Sequence, residues 1–104
     1  MTYPLRFLPE VEEDAINAYF WYEEKEKGLG DEFLRLFYAN SNEITRNPLI
    51  YRKVYQDFRR RLLRRFPYAI YFTFTGDEII VFGLLHCARN PGSIYNELQN
   101  RTHL

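Results

Sequence analysis

The chain has 104 residues, with 14 Lys/Arg balanced by 14 Asp/Glu, so it lacks the overall basicity that holds many proteins to nucleic acid. A single cysteine, Cys87, rules out an internal disulfide framework and suits a reducing cytosol. No apolar stretch approaches the length of a membrane span, and the N-terminus shows no basic region followed by an apolar run, so neither a membrane segment nor a secretory leader is expected.

Nine Phe, nine Tyr and one Trp can fill a modest core, and one compact domain over residues 1–104 is predicted, without repeats or linkers. The charge is unevenly placed. Residues 1–50 carry 5 Lys/Arg against 10 Asp/Glu, and residues 51–104 carry 9 against 4, giving halves of −5 and +5.

Tyr3, Leu5 and Phe7 alternate with polar or turn residues and predict a short strand, which Pro4 confines to a sheet edge. A helix follows from Pro9 to Lys27. Pro9 suits its first turn, and Glu10, Glu12, Glu13 and Asp14 complement the positive end of its dipole. Val11, Ala15, Ala18, Tyr19 and Tyr22 form its apolar stripe, widened by Ile16 and Phe20. Gly28 fits a left-handed C-cap, Leu29-Gly30 a loop, and Asp31 the cap of a second helix ending near Asn47 at Pro48. Phe33, Leu36, Phe37 and Ile44 form its stripe, with Leu34 and Tyr38 beside it. The short connection makes the two helices an antiparallel hairpin.

Leu49 to Gln56 reads either as loop or as a short strand around Ile50-Tyr51-Arg52. From Asp57 to Gly92, three runs rich in aromatic and β-branched residues are broken at Arg65-Phe66-Pro67 and Thr75-Gly76-Asp77, the pattern of an antiparallel meander. Gly76 can take the positive φ of a tight hairpin, and Pro67 belongs at a turn or a first strand position. Ser93 to Leu104 predicts one helical turn around Ile94–Leu98. The predicted class is α+β: an antiparallel sheet in the order β-α-α-β-β-β, with the N-terminal helical hairpin on one face. In the last strand Ile80, Phe82 and Leu84 alternate with Ile79, Val81 and Leu85, so both faces are apolar. The C-terminal tail can cover part of the far side, a separate protein can cover it, or both.

Arg59, Arg60, Arg61, Arg64 and Arg65 surround Leu62-Leu63 and stand on both faces of the first meander strand. They can pair with the acidic half, at Glu12, Asp14 or Glu23, or receive an external anion or acidic partner. The meander returns Arg89 to the end that carries Arg64 and Arg65, so these three are expected to be neighbours, with Tyr95 able to fold over them. His86, inside an apolar strand, reads as a satisfied rim or core histidine, and it points away from Cys87. His103 falls in a tail. There is no metal-ligand spacing and no Gly-rich phosphate loop, so no metal or cofactor is expected.

Several segments, taken in order, resemble the RelE/ParE superfamily of type II toxin–antitoxin toxins. They are Phe7-Leu8-Pro9, Trp21-Tyr22-Glu23-Glu24, Gly28-Leu29-Gly30-Asp31-Glu32-Phe33-Leu34, Asn47-Pro48, Arg61 to Tyr71, and Leu85-His86-Cys87-Ala88-Arg89-Asn90-Pro91. The resemblance spans nearly the whole chain. It implies a bacterial, cytoplasmic toxin of a plasmid-stabilisation module, neutralised by an antitoxin whose acidic C-terminal segment folds onto it. Phe66-Pro67-Tyr68-Ala69-Ile70-Tyr71 is similar to the ParE branch, whose members poison DNA gyrase by binding. The RelE branch consists of ribosome-dependent mRNA endonucleases. On that alternative Arg61 and Arg89 would stabilise the phosphorane and Tyr95 would help activate the 2′-hydroxyl. A third alternative is an inactive family member. For target or antitoxin binding, the resemblance and the charge pattern together nominate Arg59, Arg60, Arg64, Arg65 and Arg89.

Overall fold

A computed structural model describes residues 2–101. The elements run β1 (Leu5–Phe7), α1 (Pro9–Lys25), α2 (Leu29–Arg46), a 3-10 turn (Pro48–Ile50), β2 (Lys53–Tyr55), β3 (Phe58–Leu62), β4 (Tyr68–Thr75), β5 (Glu78–His86) and α3 (Pro91–Asn100). The class is mixed α+β, but the sheet is not purely antiparallel. Its order is β1-β5-β4-β3-β2, and β1, at one edge, lies parallel to its neighbour β5. The two helices return the chain to the end of the sheet at which β1 finishes, so β2 runs antiparallel to β1, and three successive reversals leave β5 parallel to it. Two elements also extend the predicted order: the undecided segment before the meander contains β2, and the tail forms a ten-residue helix.

The helical hairpin differs from expectation at its corner. α2 starts at Leu29, and Gly28, at φ +89°, is its N-cap residue, so Asp31 lies inside the first turn. Glu23 explains the shift. Its two carboxylate oxygens accept the backbone N–H groups of Gly28 and Gly30, each at 2.9 Å, and so satisfy donors that a helix start leaves free. Gly30 has no room for a side chain, because a Cβ there would lie 2.6 Å from the Tyr19 carbonyl oxygen. On α1, Val11, Ala15, Ala18 and Tyr22 are buried, whereas Ile16 and Phe20 are more than half exposed. The apolar stripe is therefore narrower than the sequence suggests.

The core between the hairpin and the sheet is aromatic. Tyr22, Phe33, Phe66 and Tyr68 pack with ring centroids 4.8–6.1 Å apart. Gly76 turns the β4–β5 hairpin at φ +64° as anticipated. The β3–β4 turn uses Arg65 at φ +71°, a conformation uncommon for a residue with a side chain.

β5 contains a bulge. Tyr71 pairs with Gly83 and Phe72 with Val81, so Phe82 is an extra residue. The bulge shifts the alternation. Leu84 joins Ile79 and Val81 on the hairpin side, and Leu85 joins Ile80 and Phe82 on the other, reversing the expected placement of Leu84 and Leu85. Every residue from Ile79 to Leu85 is buried. α3 provides the second cover through Ile94 and Leu98, which are 5% and 0% exposed. Of the two readings of the apolar far side of β5, the chain itself supplies the cover.

Candidate functional site

β3 sends its arginines to opposite sides of the sheet. Arg61 faces α2 and is nearly enclosed. Its Nε donates to Asn40 Oδ1 at 2.6 Å, one terminal nitrogen to the Tyr51 hydroxyl at 2.7 Å, and the other to Glu43 at 2.6 Å. Asn40 is itself 3% exposed, a polar residue set among the apolar positions of α2. Arg59, on the same face, donates to the Tyr51 carbonyl at 2.7 Å. Arg60 lies on the opposite face near the Tyr71 hydroxyl. Burial pushes the Tyr71 phenol above its usual pKa, and hydrogen bonding from Arg60 opposes that rise.

The expected cluster of Arg64, Arg65 and Arg89 does not form. The backbone meets as predicted, since Cys87 N–H donates to the Pro67 carbonyl at 2.7 Å. The side chains then diverge. Arg65 pairs with Glu32 of α2, which also holds Arg35. Arg89 reaches Ser93 at 3.1 Å and Glu97 at 3.5 Å on α3. Arg64 is exposed and has no carboxylate partner among the described residues. Like charges separate when acids on different helices are within reach of each. The acids that answer these arginines are Glu32, Glu43 and Glu97, not Glu12, Asp14 or Glu23.

The three residues nominated for a nuclease are likewise apart. Arg61 is fixed on the α2 side of the sheet. Tyr95, on α3, stacks on Tyr55 with ring centroids 4.4 Å apart and planes 6° from parallel. Arg89 lines a cavity of about 450 Å³ on the α1 side, together with Trp21, Tyr68 and His86. His86 is satisfied at the rim: its ring packs on Tyr68 at 5.1 Å and its Nδ1 accepts the Ala88 N–H at 3.0 Å. His103 lies outside the described residues. Among the described residues no group of His, Cys, Asp and Glu is arranged to hold a metal ion, and no helix is long and apolar enough to cross a membrane.

Arg101, which the sequence did not single out, donates four hydrogen bonds to groups among the described residues. β1 pairs with β5 only from Ile79 to Val81, which leaves the edge of β5 open beyond that point. Arg101 and Asp14 close it. The Arg101 guanidinium binds both Asp14 oxygens, at 2.7 and 3.0 Å, and donates to the Phe82 carbonyl at 2.9 Å. Asp14 in turn accepts the Leu84 N–H at 3.1 Å. Two side chains thus continue the hydrogen bonding of a missing strand and tie α3 to α1. Burial works to lower the Arg101 pKa, but Asp14 and Glu97 hold it above its ordinary value. Spacing offered no signal for this pair, because the partners lie 87 positions apart.

A second groove, of about 360 Å³, runs along the outer end of β3. Tyr51, Arg52, Val54, Arg60, Arg61, Leu62 and Arg64 line it.

No family model matches the chain. It is 27% identical over 103 residues to Toxin ParE2 of Mycobacterium tuberculosis, in strains CDC 1551 / Oshkosh and ATCC 25618 / H37Rv, covering 98% of this chain and 98% of the relative. Among solved structures, a chain of the chromosomal ParDE TA system from P. aeruginosa superposes with a TM-score of 0.70 at 14% identity, covering 82% of this chain and 96% of that one. The second likeness concerns the fold alone. The chain is thus similar to Toxin ParE2 from end to end in sequence, on a backbone like that of the ParDE chain.

Proposed function

We propose that this chain is the toxin of a type II toxin–antitoxin pair, inhibits DNA gyrase by binding in the manner of ParE, and is neutralised by a cognate antitoxin. The observation that carries this reading is the alignment to ParE2 along 98% of both chains. In such a module the toxin works inside the cytoplasm and stabilises the replicon that encodes the pair.

Two physical features favour binding over RNA cleavage. Cleavage needs its groups preorganised around one scissile phosphate. Here Arg61 is spent on Asn40, Tyr51 and Glu43, Tyr95 is stacked on Tyr55, and Arg89 is turned toward α3 and the α1 cavity. The zero net charge also supplies little of the phosphate neutralisation that a nuclease on the ribosome draws on.

The test is induced expression in a bacterial host, alone and with the product of the adjacent reading frame. Growth arrest relieved by the neighbour supports the toxin reading, and unimpaired growth identifies an inactive member instead. Cuts in mRNA at the ribosomal A site, lost in Arg89→Ala, would establish the nuclease reading in place of gyrase inhibition.

A further inference from the structure

We infer that the cavity between α1 and the C-terminal end of β5 is a binding site for a small, flat aromatic carboxylate, its ring against Trp21 and its carboxylate on Tyr22, Tyr68 and Arg89. The inference stands apart from the toxin reading and concerns a small ligand, not a macromolecule.

The cavity, of about 450 Å³, is large enough for one such molecule. Ala18, Leu84 and Leu85 are buried and give it an apolar floor. Trp21 lines it too, yet is 54% exposed. An open indole beside an apolar floor leaves a slot that another ring can fill.

The polar groups around this slot are mostly donors. Tyr22 is 8% exposed, with its ring packed on Phe33, Phe66 and Tyr68. A tyrosine so enclosed ordinarily finds a partner for its hydroxyl. The hydroxyls of Tyr22 and Tyr68 have no hydrogen-bond partner among the described residues, and neither oxygen is sealed from solvent. Burial raises both phenol pKa values; Tyr68 raises that of Tyr22 further, and Asp14 that of Tyr68, so the three groups lie side by side. His86 Nδ1 accepts the Ala88 N–H, which leaves the proton of the neutral ring on Nε2 as a donor. Arg89 spends one terminal nitrogen on Ser93 and Glu97, and its Nε and other terminal nitrogen have no partner among the described residues.

Asp14, the carboxylate on the cavity wall, is committed to Arg101 and the Leu84 N–H. A wall that offers hydrogens and little free acceptor capacity selects an oxyanion. The charge of Asp14 beside the phenols disfavours a second negative charge, so a carboxylate suits the place better than a phosphate dianion. Lys25 has no carboxylate partner among the described residues, and its Nζ lies 4.5 Å from the Trp21 ring centroid, where it adds to the attraction for an anion.

The test is a titration of the full, isotope-labelled chain with naphthoate, followed by NMR. Shifts should concentrate at the Trp21 amide and indole N–H and at the amides of residues 84–86 and 89. Neutral naphthamide loses the charge-assisted bonds and should bind at least about tenfold more weakly. Decalin carboxylate keeps the charge and the bulk but is not flat, and should bind at least about fivefold more weakly. Tyr22→Phe with Tyr68→Phe keeps both rings and removes no hydrogen bond within the described residues, so its Tm should stay within about 5 °C of the parent's. Its affinity for naphthoate should nevertheless fall about tenfold or more, which a purely structural role for the two tyrosines would not produce. Absence of shifts around this cavity at millimolar naphthoate, equal affinity for naphthamide or decalin carboxylate, or full affinity in the Tyr22→Phe, Tyr68→Phe variant would each overturn the proposal.

Discussion

Replacing Arg101 with Met should be among the most damaging single changes in the molecule. The side chain is 9% exposed and Asp14 is 13% exposed, so the pair is largely out of water. Met fills similar volume but removes both bonds to Asp14, the bond to the Phe82 carbonyl and the contact with Glu97. Asp14 is then left as an enclosed carboxylate holding the Leu84 N–H. Breaking one partner out of a buried pair costs about 3–5 kcal/mol. For a domain of this size that corresponds to a fall in Tm of roughly 15–25 °C. Urea unfolding followed by circular dichroism measures the loss directly. The double variant Asp14→Leu with Arg101→Met removes the stranded charge, so its loss should fall short of the sum of the two single losses by about 2–3 kcal/mol. An Arg101→Met loss below ~1 kcal/mol, or strict additivity in the double variant, would refute the role assigned to this pair.

Gly30→Ala should destabilise by about 1–3 kcal/mol through its collision with α1, although helix propensity alone favours alanine by about 1 kcal/mol; the sign of the urea midpoint shift separates the two effects. Arg61→Ala should cost about 1–3 kcal/mol in the same assay by orphaning Asn40 and Tyr51, with near-native stability as the contrary result. Tyr22, Tyr68 and Tyr71 have phenols pushed above the ordinary value of 10.0, in each case chiefly by burial. They should ionise after the exposed tyrosines in an ultraviolet alkaline titration. A raised phenol pKa means the folded chain keeps protons that the unfolded chain has released, so this contribution to stability is complete below pH 10 and is lost as the pH rises from there. A single titration step shared by all the tyrosines would contradict these placements.

Most of the framework can be read from the sequence because it rests on local signals. Pro9, Gly28 and Pro48 mark helix ends, Gly76 marks a hairpin, and the aromatic runs between breaks mark strands. Errors arose where a distant residue decided the outcome. Glu23 reaches across the helical corner and moves the N-cap of α2 from Asp31 to Gly28. The bulge at Phe82 exchanges Leu84 and Leu85, because one extra residue shifts a period of two. The arginine-rich strand was visible as a feature, but its division was not. The distribution of Glu32, Glu43 and Glu97 over two helices determines which arginines are neutralised, leaving Arg52, Arg60 and Arg64 without a carboxylate among the described residues. Asn40 carried a usable signal, since a polar residue on an apolar helical stripe asks for a buried partner, and Arg61 is that partner.

The most direct measurement is the supercoiling activity of purified DNA gyrase with increasing amounts of this chain. Inhibition by the wild-type chain, retained in Arg61→Lys and Tyr95→Phe, is the expected result for a protein that binds and does not cut. Full supercoiling at saturating chain would contradict it.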